Sequence, residues 1–249
     1  MKRFISFILL ATLLISCDTT TGFEEEPTTI SKANESLFTI SERARYMEDA
    51  YTLALRDMRA NDPEYLEKTE IDESLVNNYY NALLHLASDE GIKNDASCNF
   101  LTFHCADIAN RAIEISADSS VTWFKQIYLN IQSEEAQELN RILSEYQLEH
   151  YYFRDVEHIY HWAVKSKGVY NLDAVAHKIN DIEGLSADAW LTSSKWHGLN
   201  AESKEGLIQF TRWDGVGDCL SGCPQHAWHF SVHFDGSVDF IGEEGSPIE

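Results

Sequence analysis

The hydrophobic period of the chain changes near residue 150. Before this point apolar residues recur at helical spacing, most clearly in the segment ISERARYMEDAYTLALRDM at residues 40–58. After it, residues 156–165 alternate in the period of a half-buried strand. Helical segments followed by strands are typical of an α+β fold. The sequence therefore predicts a mainly helical N-terminal half followed by a largely antiparallel sheet with one packed helix.

Local signals mark the ends of several predicted elements. Thr39 and Glu42 form a capping-box pair before the first helix, and Asp235-Gly236 is a strong hairpin-turn signal. The predicted helices cover residues 40–61, 73–87, 121–129, 133–146 and 172–181, and the predicted strands cover 156–165, 185–191, 206–213, 227–234 and 237–241. Residues 98–105 are apolar and aromatic, which predicts a short strand or a buried loop.

The first seventeen residues carry the pattern of a bacterial lipoprotein signal. Two basic residues precede an apolar run over residues 4–15, which is too short to span a bilayer comfortably. Leu14 to Cys17 match the lipobox, in which the cysteine is acylated and becomes the mature N-terminus. We therefore predict a signal peptide over residues 1–16 and lipidation at Cys17, which gives the protein a membrane partner. The alternatives are an ordinary signal peptide with a chance cysteine and a signal anchor.

The residues after Cys17 are rich in Thr, Glu and Ser, which predicts a flexible tether. We assign residues 17–38 to the lipidated cysteine and tether, and 39–249 to a single α+β domain, helical to about 150 and a sheet from about 151. The acidic run at 24–26 has two interpretations, a surface-sorting signal and a solvated spacer, and its distance from Cys17 favours the spacer. The predicted location is a bacterial envelope membrane, with the outer membrane preferred.

The charge of the chain excludes some partners. Acidic residues outnumber basic ones by 41 to 19, for a net charge of −22. Nucleic acid needs basic surface that neutralises phosphates, so no nucleic-acid partner is expected. A 44% apolar and 12% aromatic composition is sufficient for a packed core. The remaining partners are a protein or a glycan bound on exposed sheet surface.

Beyond Cys17 the chain contains Cys98, Cys105, Cys219 and Cys223. An even number of cysteines in an exported protein predicts two disulfides, for which three pairings exist. The local pairing, Cys98 with Cys105 and Cys219 with Cys223, is preferred. The alternative is that Cys219 and Cys223 bind a metal.

The densest chemistry follows Trp213 and consists of Cys219, Cys223, His226, His229 and His233. In a strand that begins near Ala227, His229 and His233 share a face, so imidazoles near thiolates are a candidate zinc site. The Cys-x3-Cys spacing differs from the usual C-x2-C, and export favours oxidation. A disulfide-closed turn is therefore preferred and no cofactor is expected, with a zinc-binding protein or metal-dependent enzyme as the alternative.

The chain carries no recognised catalytic motif. It contains no G-x-S-x-G, H-E-x-x-H or P-loop sequence. No catalytic residue is predicted, and a non-enzymatic binding or structural role is favoured. A peptidase-inhibitor or propeptide-like module is a further interpretation, which rests only on the βαβ-like order of residues 156–191.

The C-terminal part contains Gly217-Asp218-Cys219, Gly222-Cys223, Trp228, Phe230, Val232 and Asp235-Gly236. This pattern resembles a segment of uncharacterised exported lipoproteins of Bacteroidetes-type bacteria, and a weaker likeness extends to YMEDAYTLALRDM and NNYYNALL. Leu220-Ser221 and Pro224 depart from the pattern. The resemblance implies one integrated domain and a disulfide for the cysteine pair, and it implies no activity.

Overall fold

The structure is a computed structural model that describes residues 28–99, 101–105, 112–129, 133–134, 136–189, 197–215 and 225–246. Its helices are α1 (Ile40–Asn61), α2 (Glu73–Ser88), α3 (Glu90–Asn94), α4 (Thr122–Tyr128), α5 (Gln137–Glu145) and α6 (Leu172–Asn180). Its strands are β1 (Ala112–Asp118), β2 (Leu148–Val156), β3 (Ile159–Ser166), β4 (Leu185–Ala189), β5 (His197–Lys204), β6 (Leu207–Gly215), β7 (Gln225–His233) and β8 (Val238–Gly245). Helices α1–α3 come first, and two antiparallel four-stranded sheets follow, with α4–α6 lying between strands of the first sheet, which confirms the predicted α+β class.

The first helix begins where the capping box predicts. Thr39 Oγ1 accepts the Glu42 N–H at 3.2 Å, and Glu42 Oε2 accepts the Thr39 N–H at 2.7 Å. These reciprocal bonds satisfy N–H groups that no helical carbonyl can reach. Further along the helix, Leu53 and Ala54 are buried against α2, in which Tyr79 and Leu83 are fully buried.

Strands β1–β4 form the first sheet, with the order β2-β3-β1-β4. β1 is antiparallel to both β3 and β4, so the βαβ-like unit β3–α6–β4 has a strand between its two parallel members. The succession β1, α4–α5, β2, β3, α6, β4 is the split βαβ arrangement of ferredoxin-like folds. We call β1–β4 with α4–α6 the plait. Its helices cover one sheet face, and the other face has no helix on it among the described residues.

Three strands of the plait differ from the sequence prediction, and one of them, β2, was not predicted at all. β1 lies within the part that was expected to be helical. It is a strand whose side chains alternate, with Ile113 and Ile115 facing the core and Glu114 facing outward. The strand predicted over 156–165 begins only at Ile159. The two residues before Ile159 have φ values of +52° and +67°, which form the tight turn that joins β2 to β3.

Strands β5–β8 form a meander in chain order. One face packs on α1 and α2 through the fully buried side chains of Phe210, Trp228 and Phe230. The predicted Asp235-Gly236 turn is confirmed, and Gly236 has a φ of +90°, which a side chain would strain. We call α1–α3 with β5–β8 the helix–meander unit.

The folded part begins earlier than predicted. Ile30 and Ala33 are 5% and 6% exposed, and their N–H groups donate to the side-chain oxygens of Asn78 and Asn81 in α2. The tether expected over residues 17–38 is therefore too long at its C-terminal end, because α2 supplies the hydrogen-bond acceptors that hold this segment. The signal peptide and Cys17 lie outside the described residues.

The plait and the helix–meander unit have separate hydrophobic clusters, and among the described residues a group of polar contacts that we call the seam joins them. Asn171, which is fully buried, donates its side-chain N–H groups to the carbonyls of Tyr65 at 2.8 Å and Lys68 at 2.9 Å. Its backbone N–H donates to Thr69 O at 2.9 Å, and the Tyr65 hydroxyl donates to Asp173. Each unpaired buried polar group is costly, so these bonds specify how the two cores meet.

Candidate functional site

Strand geometry separates the three histidines of the predicted metal cluster. His226 lies on the buried face of β7, where its ring contacts the Trp228 ring with centroids 4.5 Å apart. His229 and His233 lie on the opposite face, as the alternation predicts. Residues four apart in a strand are roughly 13 Å apart, whereas a zinc–nitrogen bond is about 2 Å. Because both side chains project from the same face of the strand and not towards each other, His229 and His233 are not placed to bind one ion in this structure.

Each of these imidazoles instead lies beside a different carboxylate, in the pairs His226–Glu243 at 3.4 Å, His229–Glu244 at 3.3 Å and His233–Asp239 at 2.9 Å. Among the described residues, no group of three His, Cys, Asp or Glu could hold a metal ion. Cys219 and Cys223 lie outside the described residues. Zinc binding by this pair stays the alternative to the predicted disulfide, and zinc analysis with thiol titration of the folded protein would distinguish the two.

Cys98 and Cys105 are buried, and the described part of residues 98–105 is a loop and not a strand, with Asn99 and Thr102 exposed. Cys98 is a free thiol whose Sγ lies 3.5 Å from Ile92 O, and burial raises its pKa to about 11. Cys105 Sγ lies 3.7 Å from Leu199 O. The expected Cys98–Cys105 bond is not present in this structure, and the connectivity of the four cysteines stays a prediction.

A buried carboxylate beside this loop is the first grouping that the sequence did not predict. Asp49 of α1, 2% exposed, accepts the Nδ1–H of His104 at 2.7 Å and the Cys105 N–H at 3.0 Å. The ring of Tyr46 stacks on His104 with centroids 4.7 Å apart, and burial raises the pKa of Tyr46 to about 12. These contacts fasten the loop to α1, which is a structural role.

A second unpredicted grouping lies on the open face of the plait. The Glu114 carboxylate accepts hydrogen bonds from the Tyr152 hydroxyl at 2.8 Å, His161 Nδ1 at 2.8 Å and Arg154 at 3.0 Å. Burial disfavours ionisation of Glu114, but these donors outweigh it and hold its pKa below the ordinary value. The network ties three strands together, and no local sequence signal marks it because its members are far apart in the chain.

A cleft of about 1040 Å³ opens beside the seam. Its walls are the C-terminal end of α1, residues 62–72, the start of α2, and residues 169–170 of the plait. Apolar and aromatic side chains line part of it, including Tyr51, Ile71 and Val169. The cleft therefore has walls from both units.

Carboxylates dominate the polar part of the cleft: they are Asp57, Asp62, Glu67, Glu70, Asp72 and Glu73. Lys68 is the one basic residue of the lining, and its ammonium lies 2.7 Å from Asp62 and 3.7 Å from Glu64. The hydrogen bond from Lys68 lowers the pKa of Asp62, and the one from Ser74 lowers that of Asp72. Both carboxylates are therefore ionised at neutral pH.

Comparison of the chain with protein-family models, curated proteins and solved structures finds no match. The resemblance to Bacteroidetes-type lipoproteins therefore stays a prediction. In the described part of the chain, no helix combines the length and apolar character needed to cross a membrane. The one sequence signal near the cleft is the density of acidic residues over 57–73, and from composition such a segment is interpreted as solvated surface.

Proposed function

We propose that this chain is a lipid-anchored protein of the bacterial envelope, at the outer membrane, and that its folded part binds a ligand rather than catalysing a reaction. The cleft beside the seam carries the binding proposal. Ligand sites favour concave clefts between packed units, with volumes of roughly 300–1,000 Å³. The cleft, at about 1040 Å³, is of this kind and presents both apolar and charged side chains.

The titratable groups elsewhere support binding over catalysis. Asp49 and Glu114 accept hydrogen bonds from a loop and from neighbouring strands. A catalytic acid or base is instead expected in a cleft with its reactive atom directed towards substrate. The two pairs of a buried or partly buried carboxylate and an imidazole, Asp49 with His104 and Glu114 with His161, thus hold parts of the fold together.

The proposed anchor places the cleft close to a membrane. The folded part begins by Ile30, so only residues 18–29 would separate it from the lipidated Cys17. A short tether of this kind would keep the binding cleft within reach of partners at the same membrane surface.

Two measurements test the two parts of the proposal. Metabolic labelling with a palmitate analogue should label the protein, and Cys17→Ala should abolish the label. A photo-crosslinking residue at Glu70 in the cleft should form an adduct in cells, whereas the same residue at Glu183, an exposed position in the plait, should not. Persistent label in Cys17→Ala contradicts the anchor, and equal adducts at both positions contradict the cleft.

A further inference from the structure

We infer that the ligand of the cleft is a cationic amphipathic peptide segment, which presents Lys or Arg side chains next to aliphatic or aromatic ones. The inference rests on the proposed binding function and adds the chemical class of the ligand. It is carried by the cavity itself, by the charge of its lining, and by the distribution of that charge.

Charge complementarity sets the sign of the ligand. Six carboxylates line the cleft, and the one cation of the lining, Lys68, is already engaged by Asp62 and Glu64. An anionic ligand would meet repulsion here, while a cationic one would be attracted and steered inward. The Lys68 ammonium lies beside Asp62 and Glu64. The carboxylates of Glu67, Glu70 and Glu73 are therefore the ones that we expect to bind the cationic groups of the ligand.

The spacing of the carboxylates favours a peptide over a metal ion as the ligand. Calcium needs six to eight oxygens about 2.3–2.6 Å from one point. In the described chain, which includes the whole lining, no three acidic groups come together in that way. Negative charge distributed over separate positions matches several cationic groups carried along one extended chain.

The apolar lining favours a peptide over a simple polyamine as the ligand. Tyr51, Ile71 and Leu75 lie on the side of the helix–meander unit, and Val169 and Tyr170 lie on the plait side. Val169 is 50% exposed, so its side chain is accessible to a ligand in the cleft. Apolar walls on both sides of a charged cleft favour a ligand with apolar side chains between its cationic ones.

The test uses the full-length lipidated protein in detergent and a fluorescent peptide of alternating Lys and Leu, with a Glu-Leu peptide of equal length as its control. Fluorescence anisotropy at low salt should show binding of the Lys-Leu peptide alone, and added salt should weaken that binding. The variant Glu67→Gln/Glu70→Gln/Glu73→Gln should bind it about tenfold more weakly, because several exposed ion pairs are lost together.

A matched variant removes the same charge elsewhere. Asp181→Asn/Glu183→Gln/Glu205→Gln changes three exposed residues outside the cleft and should keep the affinity within about twofold of the wild-type value. Thermal melts establish that both variants fold, and the single loop substitution Glu70→Lys replaces the triple variant if that one does not. Val169→Ser, which alters no charge, should weaken binding about threefold by removing apolar contact.

Three results overturn the inference. Equal weakening in the cleft and control variants means attraction to the acidic surface as a whole. Binding of the Glu-Leu peptide means that the sign of the ligand is wrong. No binding of the Lys-Leu peptide to the wild-type protein means that the ligand class is wrong, and if an adduct still forms at Glu70 in cells the proposed binding function survives with a different ligand.

Discussion

The two sheets have the same number of strands and the same antiparallel pairing, but they obtain their cores differently. The plait is contiguous, since its strands and the helices that cover them all lie between residues 112 and 189. The meander is covered by α1 and α2, which precede it by more than 100 residues. One core therefore forms within a continuous stretch of chain, whereas the other forms only when the two ends of the described chain come together.

This difference also explains where the cleft lies. Because the plait interrupts the helix–meander unit between α3 and β5, the two units are adjacent without sharing a hydrophobic cluster. They meet at the seam through hydrogen bonds, which the Asn171 amide donates to backbone carbonyls and the Tyr65 hydroxyl donates to Asp173. The proposed site therefore has one wall from the inserted plait and the others from the helix–meander unit.

The largest expected effect comes from removing one aromatic ring from each core. Phe230→Ala in the meander and Phe124→Ala in the plait both remove a fully buried ring and should each cost about 3–5 kcal/mol. Hydrogen exchange should show Phe230→Ala loosening α1, α2 and the meander, and Phe124→Ala loosening the plait alone.

Simultaneous loosening of both units by either substitution would contradict the comparison. It would mean that one cooperative transition covers the whole described chain, as the predicted single domain over 39–249 implies. Ile241→Ala, at a side chain that is 57% exposed, is the control and should change exchange in neither unit.

The next effect concerns the seam. Asn171→Ala removes two hydrogen bonds to residues 62–72 and the side-chain cap of α6, which together should cost about 2–3 kcal/mol. Asn180→Ala is a matched control, because Asn180 makes two bonds to Ala187 inside the plait. Exchange at residues 62–72 should increase in Asn171→Ala and remain unchanged in Asn180→Ala. An equal response of that loop to both would mean that the seam does not couple the units.

Features with a local cause were predictable from the sequence. The start of α1 and the last hairpin each depend on residues within one turn of each other, as Thr39 and Glu42 or Asp235 and Gly236 show. The start of α6 at Asn171 is of the same kind, because its side chain accepts from the Ala174 N–H. Local hydrogen bonds and backbone preferences act before any tertiary packing is considered.

Features with a distant cause were not predictable. β2 carries Tyr and charged residues instead of clean alternation, and it is a strand because β3 pairs with it. The same Asn171 that caps α6 also bonds to residues more than 100 positions earlier, and no pattern in one sequence marks that second role. The cleft requires both units to be in place, so single-sequence periodicity carries no information about it.

A smaller, pH-dependent effect belongs to the plait alone. The pKa of Glu114 is lower in the folded protein than its ordinary value of 4.5. The ionised carboxylate therefore stabilises the plait fully at pH values above 4.5, and this contribution is lost as the pH falls through the pKa of the folded protein. Glu114→Gln should cost about 1–2 kcal/mol at neutral pH. The difference between variant and wild type in urea unfolding should shrink below pH 4.5.

A constant difference at all pH values would mean that Glu114 acts through shape and not through charge. Glu149→Gln is the control on the same sheet, because Glu149 and its partner Lys167 are 59% and 63% exposed. A pair so accessible to water contributes little, and its loss should leave the pH profile of unfolding unchanged.

The smallest effect tests whether local structure in the helix–meander unit stays confined to it. Thr39→Ala removes the hydroxyl that accepts the Glu42 N–H and should cost about 0.5–1 kcal/mol, the lower part of the range for such caps because the site is exposed. Thr39→Ser keeps a hydroxyl and should restore most of that stability. Exchange should increase in the first turn of α1 and remain unchanged in the plait. A response of the plait to this substitution would mean that the seam transmits even small changes, and the two cores would then have to be regarded as one.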